Sequence, residues 1–112
     1  FQGAVVAYSN QLTVEFLGVP LDTIIKPGAV REECARAMAE GARRKMGVDL
    51  AVATTGIAGP DGGSSDKPVG LVWLAAADGR QTLTLRKIFD GSREEISEAS
   101  TREALLLLAS LI

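Results

Sequence analysis

The run Asp49-Leu-Ala-Val-Ala-Thr-Thr-Gly-Ile-Ala-Gly-Pro-Asp-Gly-Gly-Ser-Ser-Asp-Lys-Pro-Val-Gly70 constrains this chain more than any other segment. Residues 50–53 are apolar without alternation, the pattern of a strand covered on both faces. Thr54 and Thr55 follow, and then a loop carrying Gly56, Gly59, Gly62 and Gly63. Glycine lets a backbone bend sharply and bring its N–H groups close to a ligand. Such a loop at the carboxyl end of a buried strand is where open α/β sheets bind ligands. Phosphate or a developing oxyanion is its natural guest. The segment therefore predicts an α/β domain with a small-molecule site over residues 56–68.

Two absences narrow the chemistry. The 112 residues include no histidine and one cysteine, Cys34. Ser-His-Asp triads, Cys-His dyads and histidine metal sites are thereby excluded within the chain, and its scattered carboxylates argue against a zinc site. The expectation is a site with no metal and no cofactor. A lone cysteine forms no internal disulfide, so a cytoplasmic location is expected. The 12 basic and 14 acidic residues are mixed, which gives no footprint for nucleic acid. No apolar run approaches the ~20 residues of a membrane span, so no membrane partner is expected. The length suits a single domain over residues 1–112. Phe1 leads almost at once into an apolar segment, the pattern of a fragment or a trimmed product.

The rest of the chain supplies the partners for that strand. Residues 3–8 are expected to form a strand. Ser9 or Asn10 then caps a short helix to about Leu17, closed by Gly18. Residues 20–25 suit another short helix, stopped by Lys26-Pro-Gly. Ala35, Met38, Ala39, Ala42 and Met46 recur at helical spacing over residues 31–46, with Glu32 and Glu33 at the start and Arg43, Arg44 and Lys45 at the end. Residues 69–77 and 81–89 read as strands joined through Asp78-Gly79, an antiparallel hairpin. In the second of them Leu83, Leu85 and Ile88 are expected to face one way, and Thr82, Thr84 and Arg86 the other. Ser92 and Glu95 form a capping box for a last helix, whose inner stripe is Ile96, Ala99, Ala104, Leu108 and Leu111. The order predicts a mixed sheet with helices packed on it.

Each candidate functional residue has an ordinary alternative. The loop 56–68 can be turn chemistry, but a long stretch without secondary structure in a small domain more often serves function. It is neither a Walker A loop nor the dinucleotide fingerprint. Strand alternation sends Thr54 and Thr55 to opposite faces, and Thr55, next to Gly56, is the better candidate. Its hydroxyl and the N–H groups of residues 56–59 can hold an oxyanion. The segment Tyr8-Ser9-Asn10 is a helix cap or a pocket wall. Arg93, at the start of the last helix, binds phosphate or is solvated. Lys67 is expected to be exposed, Cys34 a buried small apolar residue, and Trp73 part of the core.

The segments Gly3-Ala-Val-Val-Ala-Tyr-Ser-Asn10, Leu17-Gly-Val, Gly28-Ala-Val, Met38-Ala-Glu-Gly-Ala-Arg43, Thr55-Gly-Ile-Ala-Gly-Pro-Asp-Gly-Gly63, Lys67-Pro-Val-Gly70 and Phe89-x-Gly-x-Arg93 together resemble the C-terminal domain of the CinA family. The likeness runs from end to end, and its segments keep order and spacing. It implies a three-layer α/β/α sandwich with a mixed sheet, its amino-terminal elements missing here. It implies a metal-independent amidohydrolase that converts nicotinamide mononucleotide to nicotinate mononucleotide and ammonia. The partners implied are that nucleotide, further copies of the same chain in a homo-oligomer, and in many members an attached molybdopterin-binding-like domain. Onto this sequence the resemblance carries Thr55 as an oxyanion-holding group, Gly56, Ile57, Ala58, Gly59 and Arg93 as phosphate and loop contacts, and Tyr8 and Asn10 as pocket residues. The family's serine nucleophile sits in a Glu-Ser-x-Thr-Gly-Gly segment that these residues do not contain, so the fragment alone is expected to be inactive. The family lysine thought to activate that serine is Thr13 here. Serine usually follows Gly-Ala-Val where this chain has Arg31, and Ser97 stands where the family commonly has arginine. A catalytically degenerate nucleotide-binding domain, or an oligomerisation module, is the alternative.

Overall fold

The computed structural model describes residues 1–22 and 30–112. The first helix, α1 (Asn10–Leu17), begins where Ser9 Oγ accepts the Leu12 N–H, and ends at Gly18 in the left-handed region with φ 72°. Helix α2 (Glu32–Met46) carries acidic residues in its first turn and basic residues in its last, opposing the helix dipole at both ends. Gly47, φ 62°, stops it. Arg31 occupies its N-cap position and makes no side-chain capping hydrogen bond. The helix expected over residues 20–25, its Lys26-Pro-Gly stop and the Gly28-Ala-Val motif fall largely on residues outside those described.

Three strands follow, β1 (Ala51–Gly56), β2 (Leu71–Ala77) and β3 (Thr82–Ile88). They form one antiparallel sheet in the order β1-β2-β3, with Ala51 opposite Ala77, Gly56 opposite Val72, and Leu74 opposite Leu85. The hairpin between β2 and β3 is therefore as expected. Helix α3 (Arg93–Ala109) closes the chain behind the Ser92/Glu95 capping box. Backbone and side-chain hydrogen bonds with Ser92 hold the Glu95 carboxyl below its ordinary range.

The sheet has a helix on each face, which makes three layers. On one face Ala53, Ala75 and Ala77 meet Ala35 and Ala39 of α2, with Met38 and Trp73 beside them. The buried centre of this interface is made of alanines alone, which lets the helix approach the sheet closely. Thr82 and Thr84 lie on this face too, and their hydroxyls donate to Glu40 Oε2 at 2.7 Å and Glu32 Oε2 at 2.5 Å. On the other face Val72 and Leu74 pack against Ile96 and Ala104 of α3, with Val52, Leu85 and Leu107 around them. The alternation expected along β3 thus sorts its threonines toward α2 and Leu85 toward α3, but Ile88, three residues on from Leu85 and opposite Leu71, falls on the threonine face and is exposed. On α3, Ile96 and Ala104 are buried as expected, while Ala99 and Leu108 are half-buried, as is Leu111 just beyond the end of the helix.

The strand expected over residues 3–8 is not formed. That segment has no regular secondary structure and pairs with none of the three strands. Strand geometry persists only where a neighbour takes its N–H and C=O groups. Without that neighbour, the sheet has no parallel pairing among the described residues. Val5 alone of this segment joins a core, the cluster of Leu17, Val19 and Cys34 between α1 and α2. Burial there pushes the Cys34 thiol pKa up, and the Sγ lies 3.7 Å from Met38 Sδ. No helix among the described residues is long and apolar enough to cross a membrane.

Helices α1 and α2 cross at Gly41, where a Cβ would run into the Leu17 carbonyl oxygen. Alanine is favoured over glycine inside a helix by about 1 kcal/mol. Here that gain meets backbone that cannot move aside without separating the helices. Gly41→Ala is expected to lower the urea midpoint despite its better helix propensity. An unchanged or raised midpoint would show that the crossing is looser than described.

Candidate functional site

The glycine-rich loop, residues 57–70, leaves the sheet between β1 and β2, and hydrogen bonds close its neck. The Ile57 N–H donates to the Leu71 carbonyl at 2.9 Å, and the Gly70 N–H to the Ile57 carbonyl at 2.7 Å. The Phe89 N–H donates to the Gly70 carbonyl at 2.9 Å, tying the same point to the end of β3. This turn is why β2 begins at Leu71 and not at Val69. Within the loop, Ser64 N–H donates to the Lys67 carbonyl at 2.9 Å, and Lys67 N–H to Ser64 Oγ at 3.1 Å. Lys67 is half-buried, not exposed as expected, because this turn folds it back on the loop.

Val69 supports the loop from inside. A Cβ at Gly59 would collide with Val69 Cγ1, and one at Gly63 would lie 2.8 Å from the Val69 nitrogen. Gly59 is buried, takes φ 77°, and precedes Pro60 through a cis peptide bond. Only glycine satisfies both the backbone angle and the space at that position.

Arg93 reaches the loop from the first turn of α3. Its Nη1 donates to the Gly59 carbonyl at 2.9 Å. A guanidinium carries five N–H donors, so one bond to the loop leaves donors for a ligand. The side chain is exposed. Chain direction places it here, because β3 ends beside the start of β2 and the capped α3 begins a few residues later. One cation thus fixes the loop and can also meet an anion, at a helix N-terminus whose dipole favours negative charge.

The expected site residues divide into two groups. Gly56, Ile57, Ala58, Gly59 and Arg93 come together at the end of the sheet. Tyr8, Asn10 and Thr13 lie on and before α1, and no hydrogen bond among the described residues joins them to the loop or to Arg93. Tyr8 is 90% exposed, and Asn10 is the first residue of α1. Thr13 is buried, and its Oγ1 donates to the Ser9 carbonyl one turn back at 3.2 Å. Thr55, opposite Trp73 in the β1–β2 register, is half-buried. Thr54 lines a cavity of about 250 Å³ between β1 and α3, together with Gly56, Ala58, Ser97 and Thr101. This groove was not among the expected sites. The alternation that separates Thr54 from Thr55, and the four-residue step from Arg93 to Ser97, were its signals.

The match to known families decides what kind of domain this is. All 112 residues match the model of the CinA C-terminal domain. The chain belongs to the CinA family. It is 48% identical over 112 residues to a competence-damage inducible protein of Desulforudis audaxviator, and covers 100% of this chain and 27% of that one. It is 51% identical over 109 residues to a CinA-like protein of a Mycobacterium species, covering 95% and 25%. The chain thus spans about a quarter of the curated relatives. Among solved structures it resembles the competence/damage inducible protein CihA of Agrobacterium tumefaciens, with TM-score 0.90 and 42% identity over 94% of this chain and 65% of that one. A CinA superfamily protein of Escherichia coli gives TM-score 0.87 and 32% identity over 94% and 61%. These neighbours place the α/β/α layers of this CinA domain within the family fold.

Gly59 joins the loop to Arg93 in this domain, so its substitution tests the geometry directly. A non-glycine residue in the left-handed region costs about 1–2 kcal/mol, and the contact with Val69 adds to that. Gly59→Ala is expected to lower stability by at least that amount in urea denaturation and to shift the amide resonances of residues 57–70. Unchanged stability with unmoved resonances would contradict the loop conformation described.

Proposed function

We propose that this domain forms part of an amidohydrolase site that hydrolyses the carboxamide of nicotinamide mononucleotide, giving nicotinate mononucleotide and ammonia. The observation that carries the reading is the Arg93–Gly59 contact, which sets a cation with spare donors against a glycine-rich loop at the carboxyl end of β1. In this reading Arg93 and the loop hold the phosphate. Thr55 and backbone N–H groups of residues 56–59 stabilise the oxyanion formed when a serine hydroxyl adds to the carboxamide carbon. Ammonia leaves, and water then releases the acid from the serine ester. Tyr8 and Asn10 shape the nucleotide pocket. The serine belongs to a Glu-Ser-x-Thr-Gly-Gly segment that these 112 residues do not contain, so the activity is proposed for a protein that includes that segment. The cytoplasm, a homo-oligomer and an attached molybdopterin-binding-like domain belong to the same proposal.

One observation favours a second reading. Thr13 stands where the family resemblance expects a lysine base, and its hydroxyl proton is committed to the Ser9 carbonyl. A threonine so bonded does not take a proton from serine. A domain that keeps the nucleotide site and has lost the chemistry would carry this substitution.

Ammonia release from nicotinamide mononucleotide by the full-length protein, beside Thr13→Lys and Arg93→Ala, separates the two. The amidohydrolase reading expects release by the unaltered protein. It also expects kcat/KM to fall by about 10- to 100-fold in Arg93→Ala, the scale of a charge-assisted phosphate contact. Silence in the unaltered protein with activity gained in Thr13→Lys would establish the binding domain. Silence throughout, with no nucleotide binding in calorimetry, would overturn both.

A further inference from the structure

The opposite end of the sheet carries a second polar cavity that the proposed chemistry does not use. Its volume is about 300 Å³, and Arg43, Arg44, Arg80, Glu40 and Asp78 line it. It sits where Ala51 pairs with Ala77, whereas the loop leaves where Gly56 pairs with Val72. The two ends are roughly 16 Å apart along β1 at about 3.3 Å per residue. Its walls are the last turns of α2 and the turn between β2 and β3.

The carboxylates at this cavity accept hydrogen bonds from uncharged donors, and Asp78 also lies within electrostatic reach of Arg80 and Arg43. Asp78 Oδ1 accepts the N–H groups of Arg80 and Gln81 at 2.7 and 2.8 Å. Those two bonds are the main reason its carboxyl titrates below the ordinary range. Glu40 Oε2 accepts the Thr82 hydroxyl at 2.7 Å. Neither forms a salt bridge with the arginines, and the one ion pair among the described residues joins Arg31 to Glu33. Arg43 is held in place, its Nε donating to the Asp49 carbonyl at 3.1 Å, so its terminal nitrogens remain for the cavity. They lie over the turn, and a Cβ at Gly79 would come within 3.0 Å of Arg43 Nη2. Arg44 and Arg80 are exposed.

Glu40 and Asp78 offset part of the charge of the three guanidinium groups, so three cations and two carboxylates leave the cavity an excess of one positive charge. Planar N–H forks match oxyanions that present two or more oxygens. We infer that this cavity binds a multivalent oxyanion, a phosphate compound or a polycarboxylate, independently of the loop site at the other end of the sheet. Arg43 is the fixed donor, while Arg44 and Arg80 close on the ligand from α2 and from the turn. Glu40 and Asp78 limit the site to ligands that fill the arginine side of the cavity.

Pyrophosphate and citrate, titrated into the isotope-labelled chain at constant ionic strength set with sodium chloride, test this inference. Constant ionic strength removes general screening of exposed charge. The Gly79, Arg80 and Gln81 amide resonances are expected to move saturably with at least one of the two probes. The double variant Arg44→Ala with Arg80→Ala is expected to weaken that response by at least about 10-fold, the scale of one lost charge-assisted contact, whereas Arg93→Ala is expected to leave it unchanged. Both replaced arginines are exposed, so the variant is expected to keep its amide spectrum elsewhere. Resonances that follow neither probe, or follow one equally in the double variant, would overturn the inference. Movement lost in Arg93→Ala would assign the effect to the loop site and overturn it as well.

Discussion

β2 is the element on which the rest of the fold depends. Among the described residues it alone has a strand on each edge and a helix on each face. Its side chains alternate between the alanine interface with α2 and the larger apolar contacts with α3. Because both edges are paired, a slip of one residue would turn the alanine face toward α3 and Leu74 toward α2. The register of β2 therefore sets where β1 ends, where the loop returns and where β3 delivers α3. Gly70 sits at that junction, bonded to Ile57 on one side and to Phe89 on the other. The Arg93–Gly59 contact, between residues 34 positions apart, follows from this placement.

The parts legible in the sequence are those fixed by local chemistry. Ser9 and Gly18 delimit α1, Gly47 ends α2, and Ser92 with Glu95 starts α3, because caps act within a turn or two of the chain. Leu83 and Leu85 against Thr82 and Thr84 revealed the two faces of β3 for a similar reason: the period of a strand is local. Residues 3–8 show the limit. Their apolar run has the composition of a strand, but a strand needs a neighbour, and composition carries no information about one. The site was partly legible in the same sense. The glycines of the loop and Arg93 were each visible. Their contact was not, since it depends on how β2 aligns its neighbours. Thr54 and Ser97 reach one cavity by the same non-local route.

The site is built from two devices with different demands. The loop needs glycine at 59, because the backbone there is left-handed and Val69 fills the space a Cβ would take. The cation needs freedom at its remaining nitrogens, which the single bond to Gly59 leaves it. A loop closed by hydrogen bonds at its neck and held by a partly committed arginine suits an anionic ligand in a fixed position. α1, with Tyr8, Asn10 and Thr13, lies against α2 and not against this device. In the proposed enzyme its role is to supply one wall of the pocket, and Thr13 is buried there with its hydroxyl on the Ser9 carbonyl.

The proposed function requires the loop and Arg93 to form one nucleotide site. Titration of nicotinamide mononucleotide into the labelled chain, followed at the amides of residues 56–59 and the Arg93 guanidinium, tests it most directly. These signals are expected to move together with a single affinity, and nicotinamide riboside, lacking the phosphate, is expected to move them far less. Equal responses to both compounds, or movement of the loop without Arg93, would contradict it.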